Sequence, residues 1–318
     1  MVAALNQAFE QVMAKDKTVM LLGQDIGVDG GVFRVTEGLQ AKFGADRVVD
    51  TPLAEAGIIG CSIGLAINGM KPVAEMQFCG FGFQGIHQIK QHVARLRKRS
   101  YGVYSLPLVI RMPVSGGIKP LEHHSESPEN FYVHCQGLKV VMPSSPYNAK
   151  GLLISAIRDP DPVIFLEPKK IYRSFKEEVP EEEYTIPIGE AEIVKEGKEI
   201  TIVTWGAMTK LCKETAEQMP DIDMEIIDLR TIWPLDEEKI IASVKKTGRA
   251  IVVEEAPRAG SFGSEVIARI QEHCLFSLNA PIGLVSGFSL PFPQMALEDY
   301  QLPNVKRVSR EIKRIMEF

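Results

Sequence analysis

The sequence predicts an α/β fold in which two domains follow one another along the chain. Short apolar runs that are typical of buried strands alternate with segments whose apolar residues recur at helical spacing. This alternation indicates βαβ units and a largely parallel sheet. An acidic, proline-containing stretch at 176–198 interrupts the alternation, which then resumes. We therefore predict one α/β domain at residues 1–185 and a second at 186–318.

The elements of the first domain follow from this pattern in chain order. The apolar runs that predict strands lie at 19–22, 47–49, 72–76, 108–110, 140–142 and 163–166. Helical spacing predicts helices from residue 2 onward and over 36–43, 55–68 and 86–96. Gly44 and Gly69 follow two of these helices, in the position of a C-terminal cap. Ser145 and Pro146 supply the N-cap and first-turn residues of one further helix.

The second domain shows the same alternation. We predict strands at 200–205, 224–229 and 250–254, and helices over 209–218, 236–246 and 263–274. Apolar residues at 305, 308, 312 and 315 recur at helical spacing and predict a final helix. The start of the acidic stretch at 176–198 is interpreted as the linker between the two domains.

Composition and charge exclude several classes of protein. The 318 residues carry 36 basic and 41 acidic side chains, a net charge of −5 that argues against a nucleic-acid binder. The apolar stretch at 57–66 is too short for a membrane span, which needs about 20 residues. The polar first helix gives no sign of a signal peptide, and the five scattered cysteines form no CxxC pair. We therefore expect a reduced, cytoplasmic protein without a disulfide framework or thiolate zinc site.

A glycine-rich motif lies between a predicted strand and a predicted helix. Gly80, Gly82 and Gly85 match GxGxxG, which in this context could bind a dinucleotide such as NAD. The acidic residue expected about 20 positions later is missing, because no Asp or Glu occurs between Glu75 and Glu122. The pattern therefore favours a structural turn over a nucleotide site.

Glu55 stands where a turn becomes a helix rich in small residues. One interpretation is structural, because a carboxylate complements the positive end of a helix dipole. The other is functional. Small residues permit tight packing, and a carboxylate held in a partly apolar interface has a raised pKa and can exchange a proton near neutral pH.

Two further segments each allow either a structural or a functional interpretation. The loop at 113–130 is long, has no evident secondary structure and contains the adjacent His123 and His124. It is either a solvated loop or the carrier of an imidazole that transfers a proton. The DPDP sequence at 159–162 indicates a rigid turn, which also offers oxygen atoms to a hard cation.

Nine segments, in this order, carry a family resemblance: DTPLAEAGIIG (50–60), KPVAEMQF (71–78), HSESPE (124–129), GLKVVMPS (137–144), AKGLL (149–153), PVIFLEPK (162–169), IDLRTIWP (227–234), VEEAP (253–257) and PFP (291–293). Together they resemble the β subunit of the decarboxylating component of 2-oxoacid dehydrogenase complexes over nearly the whole chain. The stretch VARLRKRS at 93–100 is more similar to branched-chain members than to pyruvate members.

The resemblance implies a fold, a cofactor and partners. It implies an N-terminal thiamine-diphosphate pyrimidine-binding (transketolase-like) domain and a C-terminal transketolase-type α/β domain. The cofactor lies between this subunit and an α subunit in an α2β2 heterotetramer, and the α subunit supplies the Gly-Asp-Gly and Asn motif for diphosphate and magnesium. This chain lacks that motif; Asp29-Gly30 is its nearest counterpart. The heterotetramer would serve a lipoyl-bearing acyltransferase core.

The resemblance also implies site residues. Glu55 matches the glutamate that hydrogen-bonds the ring nitrogen of the aminopyrimidine, and His124 matches the loop histidine that donates a proton during acyl transfer to lipoamide. Leu53, Gln77 and Phe81 match positions that line the pyrimidine. Positions of a monovalent-cation (potassium) site match Leu106, Leu108, Ala156, Asp159 and Asp161. The chain departs from the family at 119–123, where Lys-Pro-Leu-Glu-His replaces small residues, so that His123 also becomes a candidate donor.

The leading hypothesis is the β subunit of a branched-chain 2-oxoacid dehydrogenase. With the α subunit it would decarboxylate the 2-oxoacid oxidatively and acylate the lipoyl group. A pyruvate or acetoin dehydrogenase β subunit is the enzymatic alternative. A scaffold or docking subunit is the non-enzymatic one, and it predicts that Glu55 and His124 are dispensable.

Overall fold

The computed structural model describes residues 1–318. Its strands are β1 (Val19–Gly23), β2 (Val48–Asp50), β3 (Lys71–Glu75), β4 (Val109–Val114), β5 (Lys139–Val141), β6 (Val163–Pro168), β7 (Glu192–Lys195), β8 (Ile200–Thr204), β9 (Met224–Asp228), β10 (Thr231–Trp233), β11 (Ala250–Pro257) and β12 (Gly283–Gly287). Its helices are α1 (Val2–Lys15), α2 (Leu39–Phe43), α3 (Glu55–Ile67), α4 (Cys79–Gly82), α5 (Ile86–Gln88), α6 (Leu96–Arg99), α7 (Glu129–Val133), α8 (Pro146–Arg158), α9 (Ala207–Gln218), α10 (Glu237–Thr247), α11 (Phe262–Cys274), α12 (Glu298–Gln301) and α13 (Val305–Met316).

The strands form two sheets, with the orders β10-β5-β6-β4-β3-β1-β2 and β12-β11-β8-β9-β7. Neighbouring strands are parallel except at two edges, where β10 runs antiparallel to β5 and β7 runs antiparallel to β9. The predicted α/β class with largely parallel sheets is therefore confirmed. β10 belongs to the C-terminal half of the chain but pairs with the first sheet. The domain boundary between residues 185 and 186 stays a prediction.

The structure differs from the expected elements in three strands and one long helix, and it adds the short helices α4, α7 and α12. The strands β7, β10 and β12 were not predicted. The helix expected over 86–96 is instead divided into α5, a π-helical turn at Ile89–Val93 and α6. In that turn the amide of Ala94 donates to the carbonyl of Ile89, five residues earlier, at 2.9 Å. This wider turn retains the helical spacing of the apolar residues but shifts the residues after it around the helix axis.

Helices cover both sheets on both faces. In one apolar core, α1 and α8 pack on the first sheet and α9 and α13 on the second. In the other core, α3 packs on the first sheet and α10 and α11 on the second. Each of the two apolar cores contains residues from both halves of the chain. None of the helices combines the length and apolar character that a membrane span requires.

A buried ion network crosses the centre of the first sheet. Arg111 of β4 donates from Nε and Nη2 to the two carboxylate oxygens of Glu167 in β6, at 2.7 and 2.6 Å. It also donates from Nη1 to Glu75 of β3. The hydroxyl of Tyr172 donates to Glu167 Oε2 at 2.6 Å. Burial raises the pKa of Glu75 to about 7, although the charge of Arg111 opposes this rise.

Arg111→Met should lower the free energy of unfolding by about 3–5 kcal/mol, because it leaves two carboxyl groups buried without their cation. Urea unfolding at fixed protein concentration measures the loss. The control is Lys71→Met, which removes a partly exposed ion pair with Asp16 (2.9 Å) and should cost less than about 1 kcal/mol. Equal losses in the two variants would contradict the importance of the buried network.

Candidate active site

Three residues predicted from the sequence lie beyond the carboxyl ends of strands in the first sheet. Glu55 follows β2, Gln77 follows β3, and His124 lies in the long loop after β4. The carboxyl ends of parallel strands meet at one edge, and open α/β sheets bind their ligands there. The fold therefore brings these three residues to the same edge of the sheet.

Glu55 is the first residue of α3 and is half-buried. Leu53, two residues earlier, is apolar but 69% exposed. The face of α3 that carries Gly57, Gly60 and Gly64 is exposed as well. Glu55 therefore lies at an open, partly apolar surface of the fold.

The glycine-rich segment at 80–85 is helical, since it comprises most of α4 and a 3-10 turn. A Cβ atom on Gly80 would overlap the carbonyl oxygen of His123. A Cβ atom on Gly85 would overlap the side chain of Ile59 and lie 3.5 Å from the carbonyl oxygen of Glu55. The segment therefore packs against the loop of His124 at one end and the helix of Glu55 at the other. Close packing explains these glycines, in agreement with a structural rather than a dinucleotide-binding role.

Aromatic rings surround the imidazole of His124. The ring centroid of Phe78 lies 4.0 Å away in an edge-to-face arrangement, that of Phe81 lies 5.3 Å away and that of His123 lies 4.1 Å away. The Nδ1 atom of His124 is buried and has no hydrogen-bond partner. The structure thus places His124 and the predicted Phe81 together in one partly buried aromatic cluster.

The environment of His124 lowers its pKa below the ordinary value. Burial is the main cause, and the nearby positive groups of His123 and Lys169 act in the same direction. Lys169 is buried just beyond the end of β6, and burial lowers its own pKa to about 8. The sequence analysis missed Lys169, because a lysine after a strand is ordinarily a surface residue.

Gln77 contacts a residue that the sequence analysis also missed. Its Nε2 atom donates to Asp25 Oδ2 at 2.9 Å. Asp25 lies in the loop after β1 and has a φ of +59°, in the left-handed region that non-glycine residues rarely adopt. This contact ties the loops after β1 and β3 together, and no spacing in the sequence indicates it.

The residues of the predicted potassium site lie at the opposite edge of the sheet. They precede β4 and β6 or end α8: Leu106, Leu108, Ala156, Asp159 and Asp161. Asp159 is bound by Lys139 at 2.8 and 2.6 Å, and Asp161 by Arg97 at 2.5 Å. A cation at this turn would therefore depend on backbone oxygens. The structure contains no cluster of three or more His, Cys, Asp or Glu side chains suited to a metal ion.

Comparison with known proteins agrees with the two-sheet architecture. Residues 1–174 match the transketolase pyrimidine-binding domain, and residues 189–308 match the transketolase C-terminal domain. A solved structure described as a split-gene transketolase, an inactive beta4 tetramer, superposes with a TM-score of 0.80 at 19% identity. That likeness covers 99% of this chain and 97% of the other. The fold is therefore transketolase-like.

Curated relatives identify the family within this transketolase-like fold. The pyruvate dehydrogenase E1 component subunit beta of Acholeplasma laidlawii is 48% identical over 98% of this chain and 96% of its own length. The proteins of the same name from Staphylococcus aureus and Staphylococcus epidermidis are 49% and 47% identical, over 100% of this chain and 98% of theirs. The chain belongs to the family of beta subunits of the 2-oxoacid dehydrogenase E1 component. The comparisons bear out the E1 beta resemblance but name pyruvate rather than branched-chain members.

His123→Gln should raise the pKa of His124 toward its ordinary value, because a neighbouring positive charge is removed while burial remains. NMR titration of protein with isotope-labelled histidine measures the change. His134→Gln, at an exposed position beyond α7, is the control and should leave the titration of His124 unaltered. An unchanged pKa of His124 in His123→Gln would show that the charge of His123 has no part in lowering it.

Proposed function

We propose that this chain is the catalytic β subunit of a 2-oxoacid dehydrogenase and works with an α subunit in an α2β2 heterotetramer. The pair would decarboxylate a 2-oxoacid oxidatively and transfer the acyl group to a lipoyl group on an acyltransferase core. The observation that carries this proposal is the half-buried carboxylate of Glu55 beside the uncovered side chain of Leu53. An open, partly apolar surface with one carboxylate suits a cofactor ring bound between two subunits.

The residues present fit the pyrimidine end of thiamine diphosphate. When bound, this cofactor supplies a nucleophilic carbon and an electron sink for the loss of carbon dioxide. Glu55 would hydrogen-bond to a ring nitrogen and exchange a proton with it through its carboxylate. Leu53 and Phe81 would pack against the ring, and Gln77 would hold the neighbouring loop through Asp25. Magnesium and the diphosphate would be held mainly by the α subunit.

His124 would donate a proton when the acyl group passes to the lipoyl sulfur. Its aromatic surroundings support this role, because burial lowers the pKa of His124 and a lowered pKa makes the imidazolium a stronger acid. His123 is the alternative donor and lies 4.1 Å away, centroid to centroid. The aromatic rings would exclude water from the transfer.

Pyruvate is the substrate that we propose first, because the curated relatives at 47–49% identity carry that name. Branched-chain 2-oxoacids are the second candidate, which the stretch at 93–100 supports. Acetoin is the third. We further propose a cytoplasmic location, for which the five free cysteines are the support, and a potassium ion bound by backbone oxygens near Asp159.

The substrate assignment is tested with the chain co-expressed with its α partner and supplied with thiamine diphosphate and magnesium. Substrate-dependent dye reduction is measured with pyruvate, 3-methyl-2-oxobutanoate, 4-methyl-2-oxopentanoate and acetoin, for the pair and for each subunit alone. We expect activity only in the pair, with the highest kcat/KM for pyruvate. Preference for the branched acids would favour the second candidate, and no activity with any substrate in a cofactor-loaded pair would overturn the proposed reaction.

Glu55→Gln should lower kcat for dye reduction by about 10²-fold or more, because an amide cannot exchange a proton with the ring nitrogen. Gel filtration should show that the variant still assembles with the α subunit. Glu272→Gln, on the exposed side of α11, is the matched control and should retain full activity. Near-normal turnover by Glu55→Gln in the assembled pair would instead support the scaffold interpretation.

A further inference from the structure

The position of His124 depends on how one loop is anchored. Residues 115–126 form a closed loop, because the amide of Ser115 donates to the carbonyl of Glu126 at 2.8 Å. The loop contains no regular element except the 3-10 turn Glu122–His124. Loops of this kind are compact, with ends that lie close together. The groups that bind its base therefore help to determine where the imidazole lies, together with the packing of Phe78 and Phe81.

The base of the loop has an unusual backbone. Ser115, Gly117 and Lys119 have φ values of +71°, +96° and +57°. Two of these residues are not glycine, so the conformation is strained and persists only where surrounding contacts stabilise it. Backbones that include left-handed residues can direct nearby N–H groups to a common side and form a binding site for an anion.

Two carboxylates from the C-terminal half of the chain occupy this site. Glu255 of β11 accepts a hydrogen bond from the amide of Gly116 at 2.5 Å. Glu298 of α12 accepts from the amide of Gly117 at 2.8 Å and from that of Lys119 at 3.2 Å. Both glutamates are buried, with 8% and 1% of their surfaces exposed.

A third buried charge completes the anchor. The Nζ atom of Lys169 donates to the carbonyl oxygen of Ser115. Its ammonium group balances part of the negative charge of Glu255 and Glu298, both of which act on it electrostatically. The base of the loop is thus held by an ammonium group from the first sheet and by two carboxylates from the other half of the chain.

We propose that Glu298 and Glu255 are positioning residues that hold the His124 loop for acyl transfer to the lipoyl group. This inference rests on the proposed function. Neither glutamate bonds to Glu55 or Leu53, which are held by α3 and the turn before it. The C-terminal domain would therefore control the second half of the reaction, the transfer of the acyl group, more than the decarboxylation.

The test compares Glu298→Ala with Glu298→Gln in the pair formed with the α subunit. The alanine removes the acceptor of two amides, whereas glutamine keeps one side-chain oxygen that can still accept from Gly117 and Lys119. Asp299→Asn is the matched control, because Asp299 is exposed and bonds only to the Nζ atom of Lys119, at 2.9 Å. Each variant is assayed for 2-oxoacid-dependent dye reduction and for acylation of free lipoamide. Hydrogen exchange of residues 115–126 is measured alongside.

Glu298→Ala should lower the rate of lipoamide acylation about tenfold or more, while dye reduction falls by less than about twofold, because a displaced imidazole affects only the transfer step. Glu298→Gln should restore most of the acylation rate, and Asp299→Asn should change neither rate. Hydrogen exchange in the loop should accelerate in the alanine variant alone.

Equal losses of both activities in Glu298→Ala and Glu298→Gln would overturn the proposal and leave Glu298 a purely structural residue. Unchanged exchange in the loop of Glu298→Ala would also overturn it. If the wild-type pair reduces no dye with any 2-oxoacid, the proposed function fails. The hydrogen-exchange comparison then still decides whether Glu298 holds the loop.

Discussion

The buried guanidinium of Arg111 is the constraint on which the candidate site depends. An arginine stays charged, so its burial requires carboxylates at fixed positions on both neighbouring strands. Glu75 and Glu167 meet this requirement and fix how β3, β4 and β6 are aligned. Gln77 and Lys169 each follow one of these glutamates by two residues, and Ser115 follows Arg111 by four. The ion network therefore determines where the segments that carry Gln77, Lys169 and Ser115 leave the sheet.

A row of aromatic rings extends from this network to the imidazole. Tyr172 bonds to Glu167 and packs on Phe33 at 5.0 Å between ring centroids. Phe33 lies 5.6 Å from Phe78, which in turn lies 4.0 Å from His124. Rings in such contact leave little room for water and move little relative to one another. The same packing that shields the ions also partly buries His124, and this burial lowers its pKa.

The sequence predicted the parts of this molecule that depend on local pattern. The apolar runs of β1, β3 and β6 and the helix that begins at Glu55 all lie close to where the structure has them. β7 and β10 were missed because they are short edge strands that exist through pairing with a distant partner. The site residues Lys169, Glu255 and Glu298 were missed for a related reason, because they bond to the His124 loop across 54, 139 and 181 residues of chain. The spacing of residues along the sequence does not indicate such a long-range contact.

The strand β10 has a consequence for the independence of the two halves. It adds an edge strand, residues 231–233, to the sheet that the first 168 residues form. Both apolar cores also contain residues from the two halves. A fragment that stops in the segment without strands or helices at 172–191 would expose the edge of β5, and unpaired edges promote aggregation. The chain thus has two recognisable modules but one folding unit. Cleavage of the backbone in that segment would break the chain, but the two fragments would stay associated.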